Sequence, residues 1–242
     1  MRIWQMDNKK LTNMLDYLEV IQICDSTFPI GTFNHSFGME NYLHNRKIKK
    51  APEFGIWFKN YYLSQFKYGE GLLTLLTYKA LENHDYQKLL EYDDIITRST
   101  AAIETRDGTK LIAKQMVILV EKIYGDKVPL LKEYHQAIDD DKAHGNPAIV
   151  FSIFAHYKKI PVMEAYLMYG YSVASTLVQN AVRSIPLGQR EGQVILNQII
   201  RLLGELYPKE LDLDASYLGA NAPGLEMAQI NHETQGSRLF MS

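Results

Sequence analysis

Side chains able to do chemistry are few in this sequence and mostly far apart. The seven histidines, at positions 35, 44, 84, 135, 144, 156 and 232, form no H-x-x-x-H or H-E-x-x-H pair, so no helical zinc site is spelled out. The single cysteine, Cys24, rules out an internal disulfide and any metal site built on cysteine pairs. Soft and borderline donors come close only at Cys24, Asp25 and His35, with a turn between them. Thiolate, carboxylate and imidazole are plausible nickel ligands, so a weak nickel contact is one reading. The plainer reading, preferred for a tight site, is a buried thiol, a helix cap and a hydrogen-bonded histidine. Ser64-Gln65-Phe66-Lys67 matches S-x-x-K by letter alone, inside an amphipathic stretch. There is no phosphate loop, no dinucleotide fingerprint and no G-x-S-x-G nucleophile elbow. These absences point away from an enzyme and towards a protein that others bind.

Two corners carry the next signal. Phe28-Pro29-Ile30-Gly31 and Ile185-Pro186-Leu187-Gly188 share the order apolar, proline, aliphatic, glycine. Proline second and glycine fourth suit a type I turn. Apolar side chains at a corner either tuck into the core or form a contact surface. Arg183 and Arg190 flank the second corner. An arginine there can grip a partner's carboxylate or phosphate, or satisfy the free carbonyls of a helix end.

The last six residues, Ser237-Arg238-Leu239-Phe240-Met241-Ser242, are unusually apolar for a terminus. Burying Leu239, Phe240 and Met241 would contribute about 4–9 kcal/mol. Ordering six backbones costs about 6–12 kcal/mol. The tail therefore roughly breaks even or loses on its own, the profile of a segment ordered by a partner. The alternative is that it closes its own core.

The elements that must position these residues are helical. Apolar residues at Ile112, Met116, Leu119, Val120 and Ile123, and again from Val162 to Leu177, recur in steps of three and four. Pro52, Pro129, Pro147 and Pro161 each precede a helical stretch, where the missing N–H costs nothing, and Asn146 adds an N-cap. The pattern predicts helices over 10–24, 34–46, 52–68, 71–82, 85–98, 100–124, 129–139, 147–157, 161–182, 189–206 and 224–234. The fold expected is all-α: a single-domain helical bundle of about ten helices over 1–242, with 235–242 a partner-ordered tail.

Composition agrees: 46% hydrophobic and 22% charged residues describe a globular chain. With 26 basic against 28 acidic residues there is no excess to neutralise phosphates, so no nucleic-acid partner is expected. The one basic cluster, Arg46-Lys47-Ile48-Lys49-Lys50, reads as a solvated helix end. The first seven residues show no signal-peptide pattern and no apolar run is long enough to span a bilayer, so the expected location is the cytoplasm, with no membrane partner.

Four blocks in order carry a resemblance. The run Asp25-Ser26-Thr27-Phe28-Pro29-Ile30-Gly31-Thr32-Phe33-Asn34-His35-Ser36-Phe37-Gly38-Met39-Glu40 resembles the N-terminal signature of the urease accessory family UreF. Glu104-Thr105-Arg106 is similar to that family's central acidic–basic motif. Asn180 to Gln189, followed by Gly192-Gln193, resembles its most characteristic block, and Ser237 to Ser242 its terminus. Thr32, Asn34 and His144-Gly145-Asn146 depart from the pattern. The resemblance implies an all-α, non-enzymatic chaperone, often a homodimer. Such a protein acts with UreD (also called UreH) and the GTPase UreG to load nickel into apo-urease, holding no cofactor tightly itself. It places Arg183, Pro186, Leu187, Gly188 and Gln189 at a partner-facing corner, and Arg238, Leu239, Phe240, Met241 and Ser242 on UreD. It makes Asp25, Pro29, Gly31, His35, Glu40, Glu104 and Arg106 candidates for the surface or a nickel passage. Two alternatives go with it: Arg183 as a GTPase-activating arginine towards UreG, and a weak nickel carrier using Cys24 and His35.

Overall fold

The computed structural model describes residues 8–242, so the expectation about a signal peptide falls on residues outside the description. Among the described residues there is no strand, and eleven α-helices follow one another, which bears out the all-α reading. They are α1 (Asn8–Cys24), α2 (Met39–His44), α3 (Ala51–Tyr61), α4 (Leu72–Glu82), α5 (Tyr86–Ser99), α6 (Ile103–Tyr124), α7 (Pro129–Asp139), α8 (Pro147–Tyr157), α9 (Val162–Ser184), α10 (Gln189–Glu210) and α11 (Pro223–His232). No helix among them is long and apolar enough to cross a membrane.

Local chemistry sets the starts. Proline occupies the first turn of α3, α7, α8 and α11. The Asn146 side chain accepts from the Ala148 amide at 2.9 Å, and Asp85 from the Lys88 amide at 3.0 Å. The N-cap of α6 is Ala102, which has no capping side chain; Glu233 supplies the acceptor instead, taking the Ile103 amide at 2.6 Å. Every residue of α8 from Pro147 to Ala155 is buried, as is α4 from Leu72 to Tyr78. These two helices pack on each other at the centre, with α5, α6 and α9 around them and α10 laid along α9. A helix that is apolar all round belongs inside a bundle.

The structure corrects four local expectations. The helix expected over 34–46 shrinks to α2, because Phe37 and Gly38 have φ of 51° and 90°, outside the right-handed helical region. Beyond α3 the helix does not end near residue 68 but widens into a π-helix, Tyr62–Gly71, kinked at Gly69. Helix α10, expected over 189–206, runs on to Glu210 and carries Pro208 in its last turn. The two corners are three-residue turns centred on proline rather than type I turns: Ile30 N–H donates to the Phe28 carbonyl at 2.8 Å, and Leu187 N–H to the Ile185 carbonyl at 2.7 Å. Phe28, Ile30, Ile185 and Leu187 are all buried, while Pro29 and Pro186 face solvent.

Two carboxyls lie inside the bundle. Tyr169 donates its hydroxyl to Glu70 at 2.9 Å, and Tyr166 to Glu210 at 2.8 Å. Burial pushes the Glu70 carboxyl up to about 7 and that of Glu210 to about 8.

Candidate partner-binding site

The tail folds back over the joint between α2, α6, α9 and α11. Its position depends on a turn that only glycine makes easily. Gly38 has φ +90°, and a Cβ there would sit 3.0 Å from Gln229 Cγ, so its absence lets α2 approach α11. That approach brings Glu40 of α2 to His232 of α11.

His232 is fully buried between two carboxylates. Its Nε2 lies 2.9 Å from Glu40 Oε2, and its Nδ1 lies 3.0 Å from Glu104 Oε2. Each ring nitrogen of His232 thus meets one carboxyl oxygen, so both of its polar atoms are satisfied. Arg238 completes the set by donating to Glu104 Oε1. Two acids and two bases thus alternate in one chain, which is how buried charge is tolerated. Burial acts to raise the Glu104 carboxyl, but the hydrogen bonds from Arg238 and His232 outweigh it and hold the group below its ordinary value.

Glu40, only 7% exposed, is also the main acceptor for the tail. Its Oε1 accepts from the Leu239 amide, and its Oε2 from the Phe240 amide at 3.0 Å. The Asn34–Ser36 segment lies alongside. Met241 N–H donates to the Asn34 carbonyl at 2.7 Å, and Ser36 N–H to the Ser242 carbonyl at 2.5 Å. The His35 ring meets the Ser242 hydroxyl at 2.7 Å through Nδ1. Burial, and then the charge of His232, hold the His35 imidazole below its ordinary value. Asn180 fixes the other side of this segment by donating to the His35 carbonyl at 2.9 Å.

The structure therefore brings His35, Glu40, Glu104, Arg183, Arg238, Phe240 and Ser242 into one site. Arg183, at the exposed end of α9, donates to the Phe33 carbonyl at 3.3 Å. Its guanidinium also lies 6.0 Å and 5.9 Å from the ring centres of Phe33 and Phe240, within cation–π range. Pro186, Gly188 and Gln189 follow on the surface, with Leu187 in the core. Phe240 and Ser242 are buried, whereas Leu239 and Met241 are 56% and 58% exposed. Ile103 and Leu111 are also exposed, and with Met241, Glu104 and Arg238 they line a groove of about 560 Å³.

Other predicted residues lie elsewhere. Asp25 is exposed and accepts from the Thr27 amide at 2.7 Å; that turn holds its carboxyl below the usual range. Gly31, φ +90°, closes the Pro29 corner. Arg106 donates to the Thr100 carbonyl at 3.1 Å, at the end of α5. Cys24 is buried and lines a separate small cavity with Ile23, Ile30 and Tyr169, and burial pushes its thiol well up. Cys24 and His35 thus line different cavities. The sequence reading missed His232, one of seven scattered histidines, because its partners lie 192 and 128 residues away.

Comparison with known proteins places these features in a family. The family model for UreF matches residues 48–200. The chain is 50% identical to the urease accessory protein UreF of Streptococcus salivarius (strain 57.I) over 230 residues, covering 95% of this chain and 96% of that one. Identity to UreF of Streptococcus thermophilus (strain LMD-9) is 51% over the same coverage. Identity to UreF of Bacillus sp. (strain TB-90) is 41% over 225 residues, or 93% and 98% of the two chains. With a family model matched over more than half its length and relatives matched nearly end to end, this chain belongs to the UreF family of urease accessory proteins.

Proposed function

We propose that this chain is a non-catalytic, cytoplasmic assembly chaperone of urease, bound by UreD through its tail and by the GTPase UreG while nickel enters apo-urease. A homodimer is part of the same proposal. The observation that carries it is the two-sided tail. Phe240 and Ser242 anchor it, Leu239 and Met241 face outward, and Met241 shares a groove with the exposed Ile103 and Leu111. Apolar area held out of the core by buried anchors is suited to burial by another protein. Nickel is handled transiently in the complex and not held by this chain. His35 and Glu40, first considered for a nickel passage, serve to seat the tail.

Arg183 spans Phe33 and Phe240, which supports a role in positioning the tail rather than as an arginine offered to the GTPase. Removing residues 237–242 should weaken a pull-down with UreD. A cleaner test is the pair Leu239→Asp and Met241→Asp, both exposed, which leaves the anchors in place. Each exposed side chain contributes about 1.5–3 kcal/mol when buried, so capture of UreD should fall at least about tenfold with helical circular dichroism unchanged. Undiminished capture by the double variant would refute the reading.

A further inference from the structure

The basic run from Arg46 to Lys50 is not simply a solvated helix end. Lys47 and Ile48 of that run line a groove of about 610 Å³ between α3 and the α2–α11 corner, with Tyr42, Ile56, Trp57 and Leu63 also in its walls, and Lys49 and Lys50 follow directly in the chain. Ile56 is also part of a second depression, about 410 Å³, on the other side of α3 against Val194 of α10. Ile56 and Val194 are 65% and 61% exposed, among the most open large apolar side chains described. Neither depression shares a residue with the tail groove.

Charge gives this surface a direction. Arg46, Lys47, Lys49, Lys50 and Lys59 are exposed, and none belongs to an ion pair among the described residues. Lys47 lies 5.5 Å over the Tyr42 ring, which holds its ammonium at the rim. The two acidic side chains lining the depressions are already engaged as helix caps. Glu53 accepts from the Lys50 amide at 3.1 Å, and Glu191 from the Gly188 amide at 3.0 Å. Arg46, Lys47, Lys49, Lys50 and Lys59 outnumber the lining carboxylates Glu53 and Glu191, and an apolar floor beside that surplus of positive charge favours one class of occupant. The occupant must bring apolar side chains for the floor and carboxylates for the rim.

We infer that this groove docks an acidic segment of another protein, anchored by an apolar side chain beside Ile56 and Trp57 and flanked by carboxylates that meet Lys47, Lys49 and Lys50. The site is separate from the tail and does not depend on what the tail binds. Association is faster and tighter at low salt, because the rim charges are solvent-exposed and screened.

The test pans a phage-displayed random peptide library on the purified full chain, which assumes no partner in advance. Selected peptides should be rich in Asp and Glu around an aromatic or aliphatic residue. Synthetic copies should perturb Trp57 fluorescence in a Trp4→Phe background. Their affinity should drop at least about tenfold in Lys47→Glu/Lys49→Glu, and again in Ile56→Asp, with circular dichroism unchanged. Val194→Asp, in the adjoining depression, gives a second reading that leaves the rim intact. Three results would overturn the inference: failure to select any peptide displaced by these variants, selection of neutral or basic peptides, or sedimentation showing that Ile56→Asp splits a homodimer, which would make a second copy the occupant.

Discussion

Replacing Glu40 by alanine should release the tail while the bundle stays folded. One carboxylate accepts from two successive tail amides, Leu239 and Phe240, and also from His232. Hydrogen bonds to a charged acceptor contribute about 1.5–3 kcal/mol each, so the two amide bonds together hold the tail by about 3–6 kcal/mol. The remaining ties, from Met241, Ser242 and Arg238, must still offset the ordering cost of about 1–2 kcal/mol per residue. Without Glu40 they fall short. Hydrogen exchange reads this directly. In Glu40→Ala the Leu239 and Phe240 amides should lose protection by roughly a hundredfold or more, while the fully buried α8 amides lose at most what a modest global destabilisation explains. Glu40→Gln keeps one acceptor oxygen in place and should lose about half as much in free energy. If Leu239 and Phe240 exchange at the original rate in the alanine variant, Glu40 is not the latch. If α8 loses protection in step with the tail, the site belongs to the core and not to a releasable segment.

Two further outcomes follow from the packing. Glu210 is buried with its carboxyl raised to about 8, above the unfolded value of about 4.5. The native state then holds a proton that the unfolded chain gives up, so this group's contribution falls as pH rises from about 4.5 to about 8. Glu210→Gln should therefore raise stability at pH 8, read as a higher melting temperature, and leave it nearly unchanged at pH 4, a difference of roughly 1–4 kcal/mol in unfolding free energy; an equal effect at both pH values would contradict the assignment. Gly108→Ala would place a Cβ 2.5 Å from His35 Cε1 and 2.8 Å from its Nδ1, so the ring that meets Ser242 must move. It should cost about 1–3 kcal/mol and weaken capture of UreD, and normal stability with normal capture would show that the ring position is unimportant.

Most helices were legible because their signals are local. Proline in the first turn, Asn146 and Asp85 as caps, and apolar steps of three and four each act within one turn of the chain. The misplaced boundaries also have local causes that residue type conceals. Phe37 adopts a positive φ that its type disfavours, and Pro208 sits in the last turn of α10, where it gives up the bond an N–H would make to the Gly204 carbonyl. The site was legible only in part. His35, Glu40, Glu104, Arg183 and the tail all stood out, but nothing in the order of residues says that one histidine near the end joins Glu40 to Glu104. That link exists only once α2 and α11 meet at Gly38.

The sequence estimate for the tail assumed that Leu239, Phe240 and Met241 are buried together, and in the structure only Phe240 is buried. The segment it lies against, around His35 with φ −119° and ψ 131°, is extended, and the tail bonds to it through alternate backbone groups. Phe240 and Ser242 go inward, and Leu239 and Met241 go outward. Roughly two fifths of the apolar gain assumed from the sequence is not realised within the chain, and charged hydrogen bonds at Glu40 and Glu104 take its place. A tail held by polar contacts on one face, with its apolar face open, keeps that gain for a partner. Binding there adds burial without first having to order the chain, which favours affinity by reducing the entropic cost of association.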